Sequence, residues 1–316
     1  MSERRSVKVR VPASTANLGP GFDALGMALG LYNEVEVELA GHGLSLEITG
    51  EGAERLQALG ERNLVSRTVT QTLRHFGVPT EGLRVRMLNR IPLSRGLGSS
   101  SAAIMGGVAA AAALAGVAAE PEALLDLALP FEGHPDNITP ALLGGLTVAT
   151  LVDGKVRCVK LPVPAGLLAV AVIPEFHLST ALARKALPPT VPRTDAVFNV
   201  GRVALLLAAM QTGRLDLLRE AVRDRLHQPY RAPLVPGMSE VLEEGERAGA
   251  LACFLSGAGP TLLALVQGGG DAVGARMVAC WKAQAGVTAR ALTLPIEREG
   301  LRVEEEQPAT LSGGDG

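Results

Sequence analysis

This chain has few cysteines and a net charge close to zero, and each of these features excludes a class of protein. Its 316 residues include three cysteines, Cys158, Cys253 and Cys280. This odd number contains no C-x-x-C pair, so it predicts neither a disulfide framework nor a zinc site, and a reducing cytoplasm is the expected location. The formal net charge is -2, which provides no overall field to attract a nucleic acid or an anionic membrane surface.

Long runs of large hydrophobic residues are also missing. The segment that most resembles a membrane span, 96–119, is uncharged but consists mainly of alanine and glycine. These residues gain little from lipid, so the segment predicts a buried helix with close backbone neighbours. The first residues, MSERRSVKVRV, change from basic to alternating strand character, and no secretory signal is expected there.

The residues that are present indicate a folded protein with two cores. Hydrophobic residues make up 47 % of the chain and charged residues 20 %, which is typical of globular proteins. The chain of 316 residues exceeds the length at which a single core usually stops growing. We expect an N-terminal lobe at 1–162, a C-terminal lobe at 163–303 and a flexible tail at 304–316, which is acidic and then glycine-rich.

Hydrophobic periodicity predicts strands and helices mixed without strict alternation, which is typical of an α+β fold. Alternating or short apolar runs predict strands at 7–11, 35–39, 44–49, 83–91, 146–151, 155–161, 167–173, 252–255, 261–266 and 288–295. Helical spacing predicts helices at 63–76, 102–118, 121–129, 179–187, 195–210, 215–226, 238–248 and 272–285.

The strongest local signal is PLSRGLGSSSAA, from Pro92 to Ala103, where two glycines and three serines precede a long helix. Glycine lets the backbone approach an anion, successive N–H groups can face it, and the helix N-terminus adds roughly half a positive charge. A serine hydroxyl there can also coordinate Mg²⁺. The pattern predicts a phosphate-binding loop; the plainer alternative is a serine that caps a buried helix.

Other nucleotide-binding motifs are missing. The chain has no G-x-x-x-x-G-K-[ST] loop and no protein-kinase H-R-D loop. Gly19 to Ala24 matches G-x-G-x-x-A, but Pro20 lies within the turn and a strand-like segment follows it. A dinucleotide-binding fold is therefore not expected.

Three segments together resemble the motifs of a known family. PASTANLGPGFDALG at 12–26, PLSRGLGSSSAA at 92–103 and LSGAGPT at 255–261 are similar, in this order, to the motifs of the GHMP small-molecule kinases. The stretches EGHPDNITPALLGG, STALAR, DAVFNVGR and DRLHQPYRAPLVPG resemble the branch that phosphorylates homoserine. The resemblance covers roughly residues 7–295.

This resemblance implies a two-lobed α+β fold, with an N-terminal lobe like the second domain of ribosomal protein S5 and a ferredoxin-like C-terminal lobe. It implies transfer of the γ-phosphoryl group of ATP, with Mg²⁺, to the side-chain hydroxyl of L-homoserine, a step toward threonine. A cytoplasmic homodimer that binds neither nucleic acid nor membrane is expected. The alternatives are a related kinase for another small alcohol and a catalytically silent nucleotide-binding regulator of the same fold.

The resemblance also implies the residues of the site. A zwitterionic substrate needs cations for its carboxylate and an acceptor for its ammonium group. Arg184 and Arg231 match the carboxylate-binding arginines and Asp23 the acidic partner of the ammonium group. Further substrate contacts are expected from Asn17, His134 and Asn137, and Thr180 matches a hydroxyl near the transferred group. The nucleotide side is expected to comprise Asn63, Pro92, Leu93, Ser94, Arg95, Gly96, Leu97, Gly98, Ser99, Ser100, Ser101 and Ala102.

The expected catalytic residues are Glu132, Ser100, Thr180 and Arg184. The resemblance pairs Glu132 with a serine of the loop as Mg²⁺ ligands, with Ser100 the first choice and Ser99 the second. Whether Asp136 or Asn137 lies near the acceptor hydroxyl stays open. We assign no catalytic base, because a loose transition state requires little deprotonation before attack. Taken singly, these residues have plain alternatives: Glu132 as a solvated helix end and Arg231 as a surface ion pair worth about 0–1 kcal/mol.

Overall fold

The computed structural model describes residues 6–39 and 42–306. Its strands are β1 (Ser6–Ala16), β2 (Leu25–Leu39), β3 (Leu44–Gly50), β4 (Leu83–Asn89), β5 (Leu146–Val152), β6 (Lys155–Leu161), β7 (Leu168–Pro174), β8 (Ala252–Leu255), β9 (Leu262–Val266), β10 (Ala289–Pro295) and β11 (Arg302–Glu306). Its α-helices are α1 (Ala53–Gln57), α2 (Leu64–His75), α3 (Ser99–Leu114), α4 (Pro121–Glu132), α5 (Pro135–Leu143), α6 (Thr180–Lys185), α7 (Arg193–Thr212), α8 (Leu218–Ala221), α9 (Gln228–Arg231), α10 (Met238–Arg247) and α11 (Gly270–Ala285). The predicted α+β class is confirmed.

The strands form two sheets. In the first, the order is β11-β1-β2-β4-β3, and β5 pairs with both β2 and β6. Only the β3–β4 pair is parallel among the described pairings of this sheet, because α1 and α2 carry the chain across between these two strands. The second sheet has the antiparallel order β10-β7-β9-β8. Helices α10 and α11 pack on it.

Helix α3 packs on β1 and β2 of the first sheet and is buried on almost every side. Its small residues allow close neighbours: a Cβ at Gly106 would lie 2.7 Å from Val35 Cγ2, and one at Gly107 would lie 2.1 Å from Thr68 Oγ1. Alanine and glycine are therefore required where the backbone meets the sheet and α2. This is the buried helix that the composition of 96–119 predicts. Within the described residues, no helix has both the length and the hydropathy of a membrane span.

The structure differs from the predicted elements in several places. Helices α1, α5 and α9 and strand β11 form where the sequence pattern predicts no element, and β2 begins at Leu25 instead of at 35. The helix expected at 215–226 is instead a 3-10 turn at Leu215–Leu217 followed by the short α8. The helical path ends because the Asp224 carboxylate accepts the N–H groups of Leu226, His227 and Gln228, at 2.9, 2.9 and 2.6 Å, and so competes with helical hydrogen bonding.

The boundary of the expected tail also differs. Residues 304–306 belong to β11, which pairs antiparallel with β1. The chain therefore returns to the first sheet after the second is complete. The rest of the expected tail, 307–316, lies outside the described residues.

Candidate active site

A pocket of about 420 Å³ lies at the N-terminal end of α3. Its walls come from the β1–β2 connection, the β4–α3 loop, the end of α4, the start of α5, helices α6 and α9, and the β8–β9 turn. Every site residue expected from the sequence lines this pocket except Ala102, which is buried in the first turn of α3. Residues far apart in sequence, such as Asn17 and Arg231, are therefore brought together.

The start of α3 carries no side-chain cap. Its N-cap residue is Gly98, at φ 69°, and among the described residues no side chain hydrogen-bonds to the helix end. The first N–H groups of an α-helix have no partner within the helix. Those of the serine triplet thus present an uncapped, positively polarised end to the pocket. The plainer alternative, a serine cap, does not hold in this structure.

Segment 255–261 packs against the glycine-rich loop at 92–98 and hydrogen-bonds to it. Ser256 Oγ donates to Gly96 O at 2.6 Å, and the Thr261 N–H donates to Arg95 O at 3.2 Å. Gly96 has φ 75°, and a Cβ there would lie 2.2 Å from Ser256 O. Glycine is therefore needed at this position for both conformation and close approach.

We expect Gly96→Ala to weaken nucleotide binding at least about tenfold and to lower the free energy of unfolding by about 1–3 kcal/mol, because the methyl group meets a backbone oxygen at positive φ. Titration with a fluorescent ATP analogue and thermal denaturation measure the two effects. Gly213→Ala is the matched control, since Gly213 has φ 74° and no atom of the described residues lies within 4 Å of its Cβ position. Equal behaviour of the two variants would contradict the proposed contact.

Two of the three serines face Glu132 at the end of α4. Ser101 Oγ donates to Glu132 Oε1 at 2.9 Å, and the Ser100 hydroxyl lies near enough to this carboxylate to lower its pKa. Desolvation nevertheless raises the pKa of Glu132. Ser99 Oγ instead donates to Asn89 Oδ1 at 3.4 Å. The first-choice serine therefore meets Glu132, the second choice does not, and Ser101 is a partner that the sequence reasoning missed.

This arrangement fits a cation shared between protein and phosphate. The described residues contain no cluster of three or more His, Cys, Asp or Glu side chains that could hold a metal alone. Mg²⁺ is usually bound through one or two carboxylates together with substrate phosphates and waters. Glu132 with the adjacent serine hydroxyls matches that donor set.

The opposite side of the pocket holds a charged cluster. Asp23 Oδ1 and Oδ2 accept from Arg184 NH2 and NH1 at 2.9 and 3.0 Å, across 161 positions of sequence. The Asp23 backbone is left-handed, at φ 56°, and its N–H donates to Asn17 Oδ1 at 3.0 Å. His134 Nε2 lies 4.0 Å from Asp23 Oδ2, and burial lowers the pKa of His134. The two residues expected to bind opposite ends of a zwitterion are thus bound to each other.

The second arginine of the cluster is deeply buried. Arg231 is 1 % exposed, donates to Ala183 O at 3.3 Å and Gly257 O at 3.0 Å, and has its pKa lowered to about 10 by desolvation. Its guanidinium carbon lies 5.3 Å from the Phe22 ring centroid, and that of Arg184 lies 5.4 Å from it. The alternative of a surface ion pair is therefore wrong for Arg231.

His227 positions Arg231, a role that the sequence did not indicate. His227 Nε2 lies 2.7 Å from Gly19 O, and its Nδ1 lies 3.1 Å from Arg231 NH1. Because a carbonyl only accepts and a guanidinium only donates, these bonds assign the proton to Nε2 and leave Nδ1 as acceptor. Burial lowers the pKa of His227, which favours this neutral form.

Asp136 and Asn137 both line the pocket from the first turn of α5. Asp136 is 5 % exposed, and desolvation, together with the charges of Asp23 and Glu132, raises its pKa to about 7. The Asn137 Oδ1 accepts from Ser14 Oγ at 2.9 Å. Ser14 is fully buried behind this wall, and sequence reasoning missed its contact with Asn137.

The remaining site residues predicted from the sequence are Asn63, Arg95 and Thr180, and each has a different structural setting. Asn63 caps α2 through Oδ1 at 2.9 Å from Val65 N, and its Nδ2 donates to Leu56 O at 2.9 Å, so its side chain is already used within the protein. The Arg95 side chain donates to Leu93 O within the loop at 3.1 Å and to Pro174 O at the end of β7 at 2.8 Å. Thr180 begins α6, one turn before Arg184.

Comparison with known proteins gives consistent matches. Residues 63–145 match the model for the GHMP kinases N terminal domain, and residues 206–283 match that for the GHMP kinases C terminal region. A homoserine kinase of Moorella thermoacetica is 49 % identical over 86 % of this chain and 92 % of its own. One from Thermus thermophilus is 47 % identical over 89 % and 94 %. The crystal structure of homoserine kinase from Cytophaga hutchinsonii has a TM-score of 0.87 at 32 % identity, covering 96 % of this chain and 99 % of that chain.

Proposed function

The chain belongs to the GHMP kinase family, and from this premise we propose that it transfers the γ-phosphoryl group of ATP to the side-chain hydroxyl of L-homoserine. Homoserine kinases at 49 % and 47 % identity support this acceptor. The observation that carries the proposal is the meeting, in one pocket, of the uncapped start of α3, the Glu132 carboxylate and the cluster of Asp23, Arg184 and Arg231.

In the proposed reaction the residues of the pocket mainly position charges. The N–H groups at the start of α3 bind phosphate oxygens, and the charged cluster holds the amino acid end. When the acceptor hydroxyl is held in line with the γ-phosphorus atom, most of the acceleration of phosphoryl transfer comes from this positioning. Ser100, Ser101 and Glu132 would hold Mg²⁺. When bound, that ion neutralises charge on the phosphates.

We propose that no side chain acts as an obligatory base. Asp136→Asn is therefore expected to lower kcat by less than about 100-fold, because general base catalysis is worth roughly 10²- to 10⁴-fold when it is used. Steady-state kinetics with saturating ATP measure the change. A loss near four orders of magnitude would identify Asp136 as the proton acceptor.

The same variant gives a prediction for stability against pH. Because the pKa of Asp136 is raised to about 7 in the fold, its contribution to stability is complete at acidic pH, below its ordinary pKa, and is lost as pH rises through about 7. Asparagine does not ionise. The unfolding free energy of Asp136→Asn relative to the natural protein should therefore increase from pH 5 to 8, as measured by urea denaturation. A pH-independent difference would contradict this assignment.

The proposed acceptor is tested with a panel of small alcohols. The protein is incubated with MgATP and, separately, L-homoserine, mevalonate, galactose or shikimate, and ADP formation is followed. We expect ADP with L-homoserine only. Turnover of another alcohol would assign a different kinase of the family, and no turnover with any alcohol would favour a silent regulator.

Assembly and location are further parts of the proposal. We propose a homodimer in the cytoplasm; family resemblance supports the dimer, and the free thiols of Cys158, Cys253 and Cys280 support a reducing compartment. Sedimentation equilibrium measures the oligomeric state. We also propose a lobe boundary near 162, since β6 ends the first run of first-sheet strands at Leu161 and β7 begins the second sheet at Leu168.

A further inference from the structure

The side chain of Arg95 connects the glycine-rich loop before α3 to the end of β7. Its Nε donates to Pro174 O at 2.8 Å, and its NH1 donates to Leu93 O at 3.1 Å. NH2 donates to Glu175 O, and NH1 also donates to His177 Nδ1. A guanidinium has five N–H groups and no acceptor, and four of these groups thus have acceptors among the described residues. At most one is left to bind a nucleotide phosphate.

The loop backbone beside Arg95 is held by the same neighbour. The Leu178 N–H donates to Ser94 O at 3.4 Å, and Ser94 has a left-handed backbone at φ 54°. A residue other than glycine keeps this conformation only where its surroundings hold it. The Arg95 side chain and the Ser94 backbone therefore both fix the loop to segment 174–178.

This anchor lies outside the pocket at the start of α3. Leu93 and Arg95 line both that pocket and a second cavity, of about 470 Å³. Among the described residues, the other partners of the guanidinium, Pro174, Glu175 and His177, line the second cavity only. These partners therefore act on the loop from positions that a nucleotide in the first pocket does not touch.

We propose that Arg95 is a positioning residue, which presets the glycine-rich loop for the triphosphate by binding segment 174–177, and that His177 supports nucleotide binding through Arg95 alone. This inference rests on the proposed function and adds a residue outside the pocket to its machinery. The N–H groups at the start of α3 bind phosphate best when their positions are fixed before it arrives. A loop released from β7 has to be ordered by the nucleotide, which lowers affinity.

The test is a double-mutant cycle on Arg95 and His177, in which KM for ATP is measured at saturating L-homoserine. We expect Arg95→Met to raise this KM by about 10- to 100-fold, the range that hydrogen bonds of a charged group contribute. KM for L-homoserine should stay nearly unchanged. His177→Ala should raise KM for ATP at least about threefold, as the loss of one hydrogen bond predicts. The double variant should be no worse than Arg95→Met, because His177 acts only through Arg95.

The matched control is Arg298→Met. Arg298 also donates to two backbone carbonyls, Val163 O and Pro164 O, each at 3.0 Å, but it lines neither cavity. Its loss should leave both KM values unchanged. Arg95→Lys keeps the charge without the planar fork and should show a smaller increase than Arg95→Met. It replaces Arg95→Met in the cycle if circular dichroism shows that the methionine variant is unfolded. His177 is exposed, so His177→Ala should keep the fold.

An unchanged KM for ATP in either single variant would overturn the inference. So would single effects that multiply in the double variant, since His177 would then act independently of Arg95, or an equal rise of both KM values in Arg95→Met. These results leave the proposed function intact. If no ADP forms with L-homoserine, the proposed function fails. Dissociation constants of a fluorescent ATP analogue in the same four proteins then decide the inference alone: non-additive effects support it, and additive or missing effects overturn it.

Discussion

Replacing Glu132 with glutamine is expected to lower kcat by about a thousandfold, with little change in KM for L-homoserine. Glu132 is the carboxylate that meets the serine hydroxyls at the start of α3. Glutamine has nearly the same shape and can still bond Ser101, but it lacks the negative charge that a divalent cation requires. The loss affects the phosphoryl-transfer step, in which charge develops. Removing one stabilising group from such a step lowers kcat roughly 10²- to 10³-fold.

Steady-state kinetics over a range of Mg²⁺ concentrations measure this effect, and the Mg²⁺ concentration at half-maximal rate should rise. The matched control is Glu122→Gln on the same helix, whose partner is the exposed Arg157 at 3.0 Å, and it should leave both values unchanged. A Glu132→Gln enzyme with normal kcat and Mg²⁺ dependence would exclude Glu132 as the metal-binding carboxylate.

Loss of activity by unfolding can be separated from this effect. Because the pKa of Glu132 is raised in the fold, the stability it contributes is complete below its ordinary pKa and is lost as pH rises through the raised value. The uncharged glutamine avoids that loss. Glu132→Gln should therefore be at least as stable as the natural protein at pH 7.5, and a lower melting temperature there would contradict the desolvation argument.

The second large effect is expected from Arg231. Arg231→Ala should raise KM for L-homoserine by about 100- to 1000-fold and leave KM for ATP nearly unchanged, because charge-assisted hydrogen bonds to a carboxylate are worth about 1.5–3 kcal/mol each. Arg231→Lys keeps the charge without the planar donor geometry and should show a smaller increase. Equal changes in both KM values would contradict a role in substrate binding.

Arg231 also donates to backbone carbonyls, so its loss can disturb the fold. Circular dichroism and ATP-analogue binding check this for both variants. Arg202→Ala serves as control, since Arg202 also lies over a phenylalanine ring, 4.7 Å from Phe198, but outside the pocket. Its KM values should match those of the natural protein.

Some of the site could be predicted from sequence because its determinants are local. Two glycines and three serines before an alanine-rich stretch predict an open helix N-terminus, and the structure has Gly98 at that N-cap. That Ser101 also contacts Glu132 was not predictable, because consecutive helical residues point about 100° apart. Only the packing of α3 against α4 decides which hydroxyls reach the carboxylate.

The sequence by itself determined the α+β class, the position of the glycine- and serine-rich loop before α3 and, through resemblance, the residues that line the pocket. The tertiary structure alone decided that Asp23 and Arg184 are paired and that Arg231 is buried and hydrogen-bonded to His227. It also decided that the pKa of Asp136 rises to about 7. Local patterns encode backbone conformation and hydrophobic periodicity. Ion pairing and desolvation depend on residues far apart in sequence, 161 positions for Asp23 and Arg184, and their distance and exposure are fixed only when the chain is folded.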